Sequence, residues 1–270
     1  MLLPQRSSIA RTFHRTVASE SLILHGAVAA ELTAAESSWP PTQATAKLAP
    51  AFSPDATAEL SRVGGALAYA AVRRTLDLVV AVTLLIVLLP LFALIGLAIL
   101  VDDGSPIFYR GERVGLNGHR FMAMKFRSMQ TRCDPAPHAE FVRSLLRDET
   151  RCTLYKVPGD RRITRLGAFL RRTSLDELPQ LWNVLRGEMS LVGPRPDVSY
   201  AVEGYTDWMH RRLLVKPGIT GLWQVSGRSR LSMLEMYQLD VKYVANASLA
   251  LDLRILLRTI PVVLGRDGVA

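Results

Sequence analysis

Two adjacent carboxylates, Asp176 and Glu177, lie in the stretch TSLDELPQLWNVLRGEMSLVGPRP (residues 173–196), with arginines on either side. Upstream, DRRITRLGAFLRR supplies Arg161, Arg162, Arg165, Arg171 and Arg172. Downstream, GPRP holds Arg195 between Pro194 and Pro196, which restrict its backbone. An ionised carboxylate suits a nucleophile or a metal ligand equally, and guanidinium forks match phosphate oxygens. Together these residue types are what a phosphate-handling site with a divalent cation needs. They are also what a solvated salt-bridge network looks like, and an acid pair at a helix start commonly has no chemistry.

The elements that must position the pair can be read from the same stretch. Ser174 is spaced to act as N-cap with Glu177 as its reciprocal partner, a capping box. Leu175, Leu178, Leu181, Trp182 and Leu185 then fall on one face of a 3.6-residue period, which predicts a helix burying that stripe. The acids sit in its first turn, where unpaired N–H groups and the helix dipole favour negative charge. Pro179 removes a hydrogen bond and biases Leu178 away from the α region, so a distorted first turn is expected.

The chain has 270 residues and a formal net charge of +9, with a pI near 10.0, which calls for an anionic partner: nucleic acid, a membrane surface or phosphorylated substrates. Its two cysteines, Cys133 and Cys152, form no CxxC pair and point to a reducing compartment; the scattered histidines argue against zinc. Nucleic-acid binding needs a basic face with stacking aromatics or a recognisable module, and neither is found.

Three segments follow from composition. Residues 1–64, rich in Ala, Ser, Thr and Pro, read as a disordered extension whose first part has some transit-peptide character but no secretory apolar region. Residues 65–103 read as a membrane anchor, because residues 78–101 carry no charge and a straight helix of that length reaches ~36 Å against a hydrocarbon core of ~30 Å. Pro90 breaks it near the middle. Arg62, Arg73 and Arg74 precede the run and Arg110, Arg113, Arg120, Lys125 and Arg127 follow it. The positive-inside tendency places both flanks on one side, which favours a re-entrant helix-break-helix over a single span.

Residues 104–270 form the remaining domain. IFYR, GERVGLNGHR and FMAMKFRSM predict a β-hairpin around Asn117-Gly118, a type I′ signal, with Arg113, Lys125 and Arg127 facing phosphates or keeping an edge soluble. A short helix is expected over residues 140–147, and another over residues 200–214. Gly218, Gly221 and Gly227 allow tight turns that present Arg228 on a loop. Ser232 and Glu235 form a second capping box opening a helix to about Val244, and residues 248–264 form an amphipathic helix suited to core packing or to the headgroup layer. The expected fold class is α+β, mainly helical, with a membrane-inserted re-entrant helix-break-helix, a small β-hairpin and amphipathic interfacial helices.

In order along the chain, RRTLDLVVAV…LLPL, GSPIFYRGERVG, MKFRSM, ITRLGAFLRRTSLDELPQLWNVLRGEMSLVGPRPD, KPGITGLWQVSGRS and LDLRILLRTI resemble the bacterial sugar transferase family, the monotopic phosphoglycosyltransferases that begin glycan assembly on undecaprenyl phosphate. The resemblance runs from about residue 72 to the C-terminus and looks like the minimal catalytic form with a tail. It implies that Asp176 attacks the β-phosphate of a UDP-sugar, releasing UMP and leaving a phosphosugar on the aspartate, which undecaprenyl phosphate then attacks. Glu177 and Asp176 would hold Mg²⁺. Arg171 and the Pro194-Arg195-Pro196 motif would position phosphates, and Arg228 would lie on the nucleotide or phosphate side. The implied location is the cytoplasmic face of the bacterial inner membrane. Many relatives carry Ser-Pro at the helix break, where this chain has Leu89-Pro90. An inactive membrane scaffold, or a transferase moving sugar without its phosphate, remain alternatives. The Trp- and Met-bearing helices offer a surface for a homodimer, and no residue selects the sugar.

Overall fold

The computed structural model describes residues 56–130, 140, 142 and 162–264. The first helix, α1 (Ala56–Val87), begins inside the segment expected to be disordered up to residue 64. Ala56, Ala58, Glu59 and Leu60 at its start are strong helix formers. The chain divides into two units, residues 1–75 and 76–270. In the first, Thr75 Oγ1 donates to the Ala71 carbonyl (3.0 Å) and the Arg73 guanidinium lies over the Tyr69 ring (5.9 Å).

Helix α1 gives way at Leu88 to α2 (Leu89–Asp103), with a bend of 60°. The cause is Pro90. It has no N–H, so the ladder still seen at Leu88 N to Leu84 O (2.9 Å) cannot continue through it, and the proline falls in the first turn of α2, where a missing donor costs little. The bend forms with Leu89 before the proline, so no serine hydroxyl is required. No single described helix is long and apolar enough to cross a membrane, although α1 from Leu67 and α2 qualify together as a bent pair. Val79, Ile86, Val87, Leu94, Leu97 and Val101 are exposed along it.

One face of α2 is not exposed. Ile95 and Ile99 pack with Phe126 and Leu170 in a buried cluster, and the Phe92 and Phe126 ring centroids are 5.1 Å apart. Near its end α1 has a polar fastening as well: the buried Asp77 carboxylate accepts from Ser190 Oγ (2.8 Å) and Leu191 N (2.9 Å). Hydrogen bonds to a charged group contribute about 1.5–3 kcal/mol each.

Strands β1 (Phe108–Val114) and β2 (Arg120–Phe126) form the expected antiparallel hairpin, in register from Phe108 opposite Phe126 to Val114 opposite Arg120. At its tip Asn117 (φ 54°) and Gly118 (φ 78°) both have positive φ, and His119 N donates to Leu116 O (3.1 Å), the geometry of a type I′ turn. Helix α3 (Arg165–Thr173) is capped by Thr164, whose side chain accepts from Gly167 N. A Cβ at Gly167 would lie 2.0 Å from the Ser128 carbonyl oxygen, so only glycine lets α3 approach the end of β2 this closely.

Next come α4 (Gln180–Arg186) and β3 (Ser190–Val192), which pairs in parallel with β4 (Gly218–Thr220). The sequence reading did not anticipate this sheet. Residues 200–214, expected as one helix, are broken into α5 (Ser199–Val202), α6 (Asp207–His210) and a 3₁₀ turn (Arg211–Leu214). The chain turns at Gly204, which lets Tyr205 point inward. Helix α7 (Met233–Ala245) opens with the expected capping box, since Ser232 Oγ accepts from Glu235 N and Glu235 Oε2 accepts from Ser232 N (2.8 Å). Helix α8 (Leu249–Leu264) buries Ile255 and Asp252, the latter accepting from the Tyr243 hydroxyl (2.7 Å), while Leu253, Leu257, Ile260 and Val263 form an exposed stripe. The described chain is therefore mainly helical with two small sheets. Apart from residues 140 and 142, the helix expected over 140–147 lies outside the described residues.

Candidate active site

The acid pair does not occupy the first turn of a regular helix. Ser174 adopts a left-handed conformation (φ 59°) that closes α3, and residues Leu175–Glu177 form a 3₁₀ turn before α4 starts beyond Pro179. The expected Ser174–Glu177 capping box is absent: Ser174 makes no side-chain cap, because a left-handed residue aims its hydroxyl away from the following turn. Distortion ahead of Pro179 is present, though it resides in Ser174 and the 3₁₀ turn, while Leu178 itself stays in the α region (φ −53°, ψ −37°). The later start of α4 also shifts the phase of its buried face. Leu181, Asn183 and Val184 are buried, and Trp182, expected on the buried stripe, is 48 % exposed.

This turn gives the two acids different surroundings. Glu177 is locked by cations: Lys125 Nζ donates to Oε1 (2.7 Å), and the Arg195 fork reaches Oε2 through Nη1 (3.0 Å) and Oε1 through Nη2 (2.5 Å). Burial alone would raise the Glu177 carboxyl, but the charges and hydrogen bonds of Arg195 and Lys125 outweigh it and hold the group well below the usual carboxylate range. Asp176 is only 7 % exposed and its carboxylate accepts no hydrogen bond among the described residues. Burial, and secondarily the Glu177 charge, push its carboxyl up to about 6 against the pull of Lys125, Arg171 and Arg195. A buried carboxylate without a partner is costly. That marks a place where a cation or a reacting group belongs.

The flanking arginines divide in the same way. Arg171, in the last turn of α3, has a buried Nη1 with no hydrogen-bond partner among the described residues, and its charge acts on Asp176. Native structures leave few buried donors unpaired, so this Nη1 stands out among the described residues. Arg228 (φ 51°) reaches Ser174 Oγ (3.2 Å) and the Val262 carbonyl (3.2 Å), so it ties the end of α8 to the turn that carries Asp176. Its charge also interacts with Glu177 and Arg195. Pro194 and Pro196 flank Arg195, with Gly218 N donating to Pro194 O (2.9 Å).

Arg127 is not brought to the acids. It is buried, and its guanidinium donates to the Asp103 (2.8 Å) and Ser105 (3.1 Å) carbonyls and pairs with the Asp103 carboxylate (3.4 Å), satisfying the free carbonyls at the end of α2. Pro90 lies at the helix bend. Sequence reasoning missed Asn183, which fastens α4 to β2: Met124 N donates to Oδ1 (2.9 Å) and Nδ2 donates to the Met122 carbonyl (2.8 Å). Through those bonds Lys125 is carried to Glu177. A polar residue between Leu181 and Val184 was the available signal.

Among the described residues no group of three or more His, Cys, Asp or Glu side chains is arranged to hold a metal. A Mg²⁺ site of the kind completed by substrate phosphates needs only one or two carboxylates. Asp176 offers both oxygens, and Glu177, three of whose roughly four acceptor positions are taken, retains one. Asp176 and the remaining position on Glu177 would supply the one or two carboxylates that such a site needs.

The chain belongs to the bacterial sugar transferase family, whose model matches residues 68–266, a span that takes in the bent helix pair, Lys125, the acid pair and the Pro194-Arg195-Pro196 loop. The chain is similar to the UDP-galactose-lipid carrier transferase of Erwinia amylovora (47 % identity over 206 residues, covering 73 % of this chain and 41 % of that protein). It is also similar to the exopolysaccharide production protein ExoY of Sinorhizobium fredii (41 % over 212 residues, 78 % and 92 %) and to the UDP-glucose:undecaprenyl-phosphate glucose-1-phosphate transferase of Caulobacter vibrioides (39 % over 218 residues, 77 % and 76 %). It thus spans less than half the length of the first of these.

Proposed function

We propose that the chain transfers a sugar 1-phosphate from a UDP-sugar to undecaprenyl phosphate as the first membrane step of exopolysaccharide or related glycan assembly. The observation that carries this reading is the asymmetry of the acid pair: Glu177 is held by Arg195 and Lys125, while among the described residues neither the Asp176 carboxylate nor the buried Nη1 of Arg171 has a hydrogen-bond partner. The names of the Erwinia and Caulobacter relatives support the substrate classes.

In the first step an Asp176 oxygen bonds to the β-phosphorus of the UDP-sugar. The bond from that phosphorus to the bridging oxygen breaks, and the bridging oxygen leaves with the electron pair as part of UMP. In the second step an oxygen of undecaprenyl phosphate bonds to the same phosphorus, the bond to Asp176 breaks, and the free carboxylate returns. Covalent catalysis of this kind lets one site serve a water-soluble donor and then a membrane acceptor. Arg171 and Arg195 supply fixed donors to the phosphate oxygens. Lys125, whose ammonium is pushed below its ordinary value chiefly by burial, adds a compact charge to the same wall. Magnesium bound at Asp176 with Glu177 would offset the repulsion between carboxylate and diphosphate and stabilise the departing phosphate. The bent pair α1–α2 enters and leaves the cytoplasmic face of the inner membrane in this reading, supported by its exposed apolar face and by the packing of Ile95 and Ile99 onto Phe126 and Leu170. The stripe Leu253, Leu257, Ile260 and Val263 lies in the headgroup layer.

The test is nucleotide release from a panel of UDP-sugars by the membrane-embedded protein with Mg²⁺ and undecaprenyl phosphate. UMP from one donor, lost in Asp176→Asn, is the expected result. UDP release would mean sugar transfer without phosphate, and full activity in Asp176→Asn would remove the aspartate intermediate.

A further inference from the structure

The Arg195 fork is useful only if its backbone is fixed, because a long side chain on a mobile loop reaches many places. The loop is pinned at successive points. Gly218 N donates to the Pro194 carbonyl, Arg212 Nη2 donates to the Arg195 carbonyl (2.9 Å), and Val114 N donates to the Asp197 carbonyl (2.8 Å). The middle pin differs in kind, since a buried guanidinium, 4 % exposed, holds the main chain of a site residue.

Arg212 is itself held on every edge. Its Nε and Nη2 donate to Asp240 Oδ2 (3.0 and 2.8 Å), and its Nη1 donates to the Tyr205 hydroxyl and to Asp197 Oδ2 (3.3 Å). Its Cζ lies 3.9 Å from the Tyr237 ring centroid. The Tyr205 and Tyr237 hydroxyls donate to the same Asp197 oxygen. Asp240 is wholly buried on α7, so the cluster joins α7 to the Arg195 loop. Stability alone is a weak reason for such a cluster, because well-packed apolar residues of similar volume often do as well as a buried ion group. What apolar residues cannot do is hold the Arg195 carbonyl in place.

We infer that Arg212 is a positioning residue for the reaction: it fixes the Arg195 main chain so that the Arg195 guanidinium is presented to Glu177 and to an anionic diphosphate beside Asp176. The inference rests on the proposed role of Arg195 in binding phosphate. Lysine, with one compact ammonium, cannot span Asp240, Tyr205 and the Arg195 carbonyl at once.

The experiment is a double-mutant cycle on the full chain in lipid nanodiscs, with Arg212→Lys and Arg195→Ala singly and together, reading UDP affinity by calorimetry and kcat and KM for the donor. Arg212→Lys is expected to weaken UDP binding and kcat/KM about tenfold when Arg195 is present, the scale of a charge-assisted hydrogen bond. In the Arg195→Ala background the same change is expected to cost no more than about twofold. Equal losses in both backgrounds would overturn the inference, because a purely stabilising residue acts regardless of Arg195. If Arg212→Lys does not fold, Asp240→Asn replaces it in the same cycle and is judged by the same criterion. A wild-type chain that binds UDP but releases no UMP refutes the proposed reaction alone, and the binding cycle then decides the role of Arg212.

Discussion

Replacing Glu177 with glutamine keeps the shape of the side chain and removes its charge, so it isolates what that charge does. Glu177 accepts three hydrogen bonds from two cations, and the side chains involved are partly reached by solvent, 14 % for Glu177, 19 % for Lys125 and 27 % for Arg195. Breaking a fully buried pair costs about 3–5 kcal/mol; with this exposure, and with glutamine still accepting through its carbonyl, about 2–3 kcal/mol is expected. For a chain of this size that corresponds to a melting shift of roughly 4–12 °C. The pH dependence carries a definite sign. The Glu177 carboxyl is depressed from its ordinary 4.5, so its contribution is complete above that value and is lost as pH falls below it. Thermal melts of wild type and Glu177→Gln in nanodiscs should therefore differ most near neutral pH and converge in acid. Melts that coincide at neutral pH, or a gap that persists unchanged at low pH, would refute the claim that the Glu177 charge organises Arg195 and Lys125.

Arg127→Met should lower stability by about 2–4 kcal/mol, since it strands the carbonyls at the end of α2, while leaving donor KM unchanged in the folded protein. A raised KM with an unchanged melting temperature would instead return Arg127 to the substrate site. Ser232→Ala should cost about 1 kcal/mol in chemical denaturation through loss of the α7 cap; no change would mean that the cap is redundant. In metal-free protein the Asp176 carboxyl should half-ionise near pH 6 by carboxyl NMR, and magnesium, competing with the proton, should move that midpoint down; a midpoint indifferent to magnesium would exclude Asp176 as a ligand.

Local signals in the sequence were reliable where one residue type decides the geometry. Asn117-Gly118 specified its hairpin turn, Pro90 its bend, and Ser232 with Glu235 its helix start, because each depends on φ preference, a missing donor or a short-range hydrogen bond. Readings failed where tertiary partners compete with local preference. Ser174 and Glu177 have capping-box spacing, yet Lys125 and Arg195, distant in sequence, outbid the local backbone for the Glu177 carboxylate. Residues 200–214 have helical character, yet they break where Tyr205 turns to meet Asp197 and Arg212. The β3–β4 sheet is built from segments too short to show a period, and Arg127 could be separated from the phosphate-facing cations only by seeing which carbonyls it meets.

The distorted turn also explains how two neighbouring acids can have different work. Successive residues of a 3₁₀ turn point about 120° apart, so Glu177 can face the hairpin and the Arg195 loop while Asp176 faces elsewhere. A regular helix would also separate adjacent residues, by about 100°; what is particular here is that this turn brings Glu177 to Lys125 and Arg195. Because Lys125 and Arg195 are anchored on Glu177, they do not draw on Asp176, whose carboxylate accepts no hydrogen bond among the described residues. Among the described residues the Asp176 carboxylate and the Arg171 Nη1 each lack a hydrogen-bond partner, and in the proposed reaction the donor phosphate with its cation would supply both. The same logic places Arg212 behind Arg195, since the anchoring of Glu177 is only as firm as the backbone from which the Arg195 fork extends.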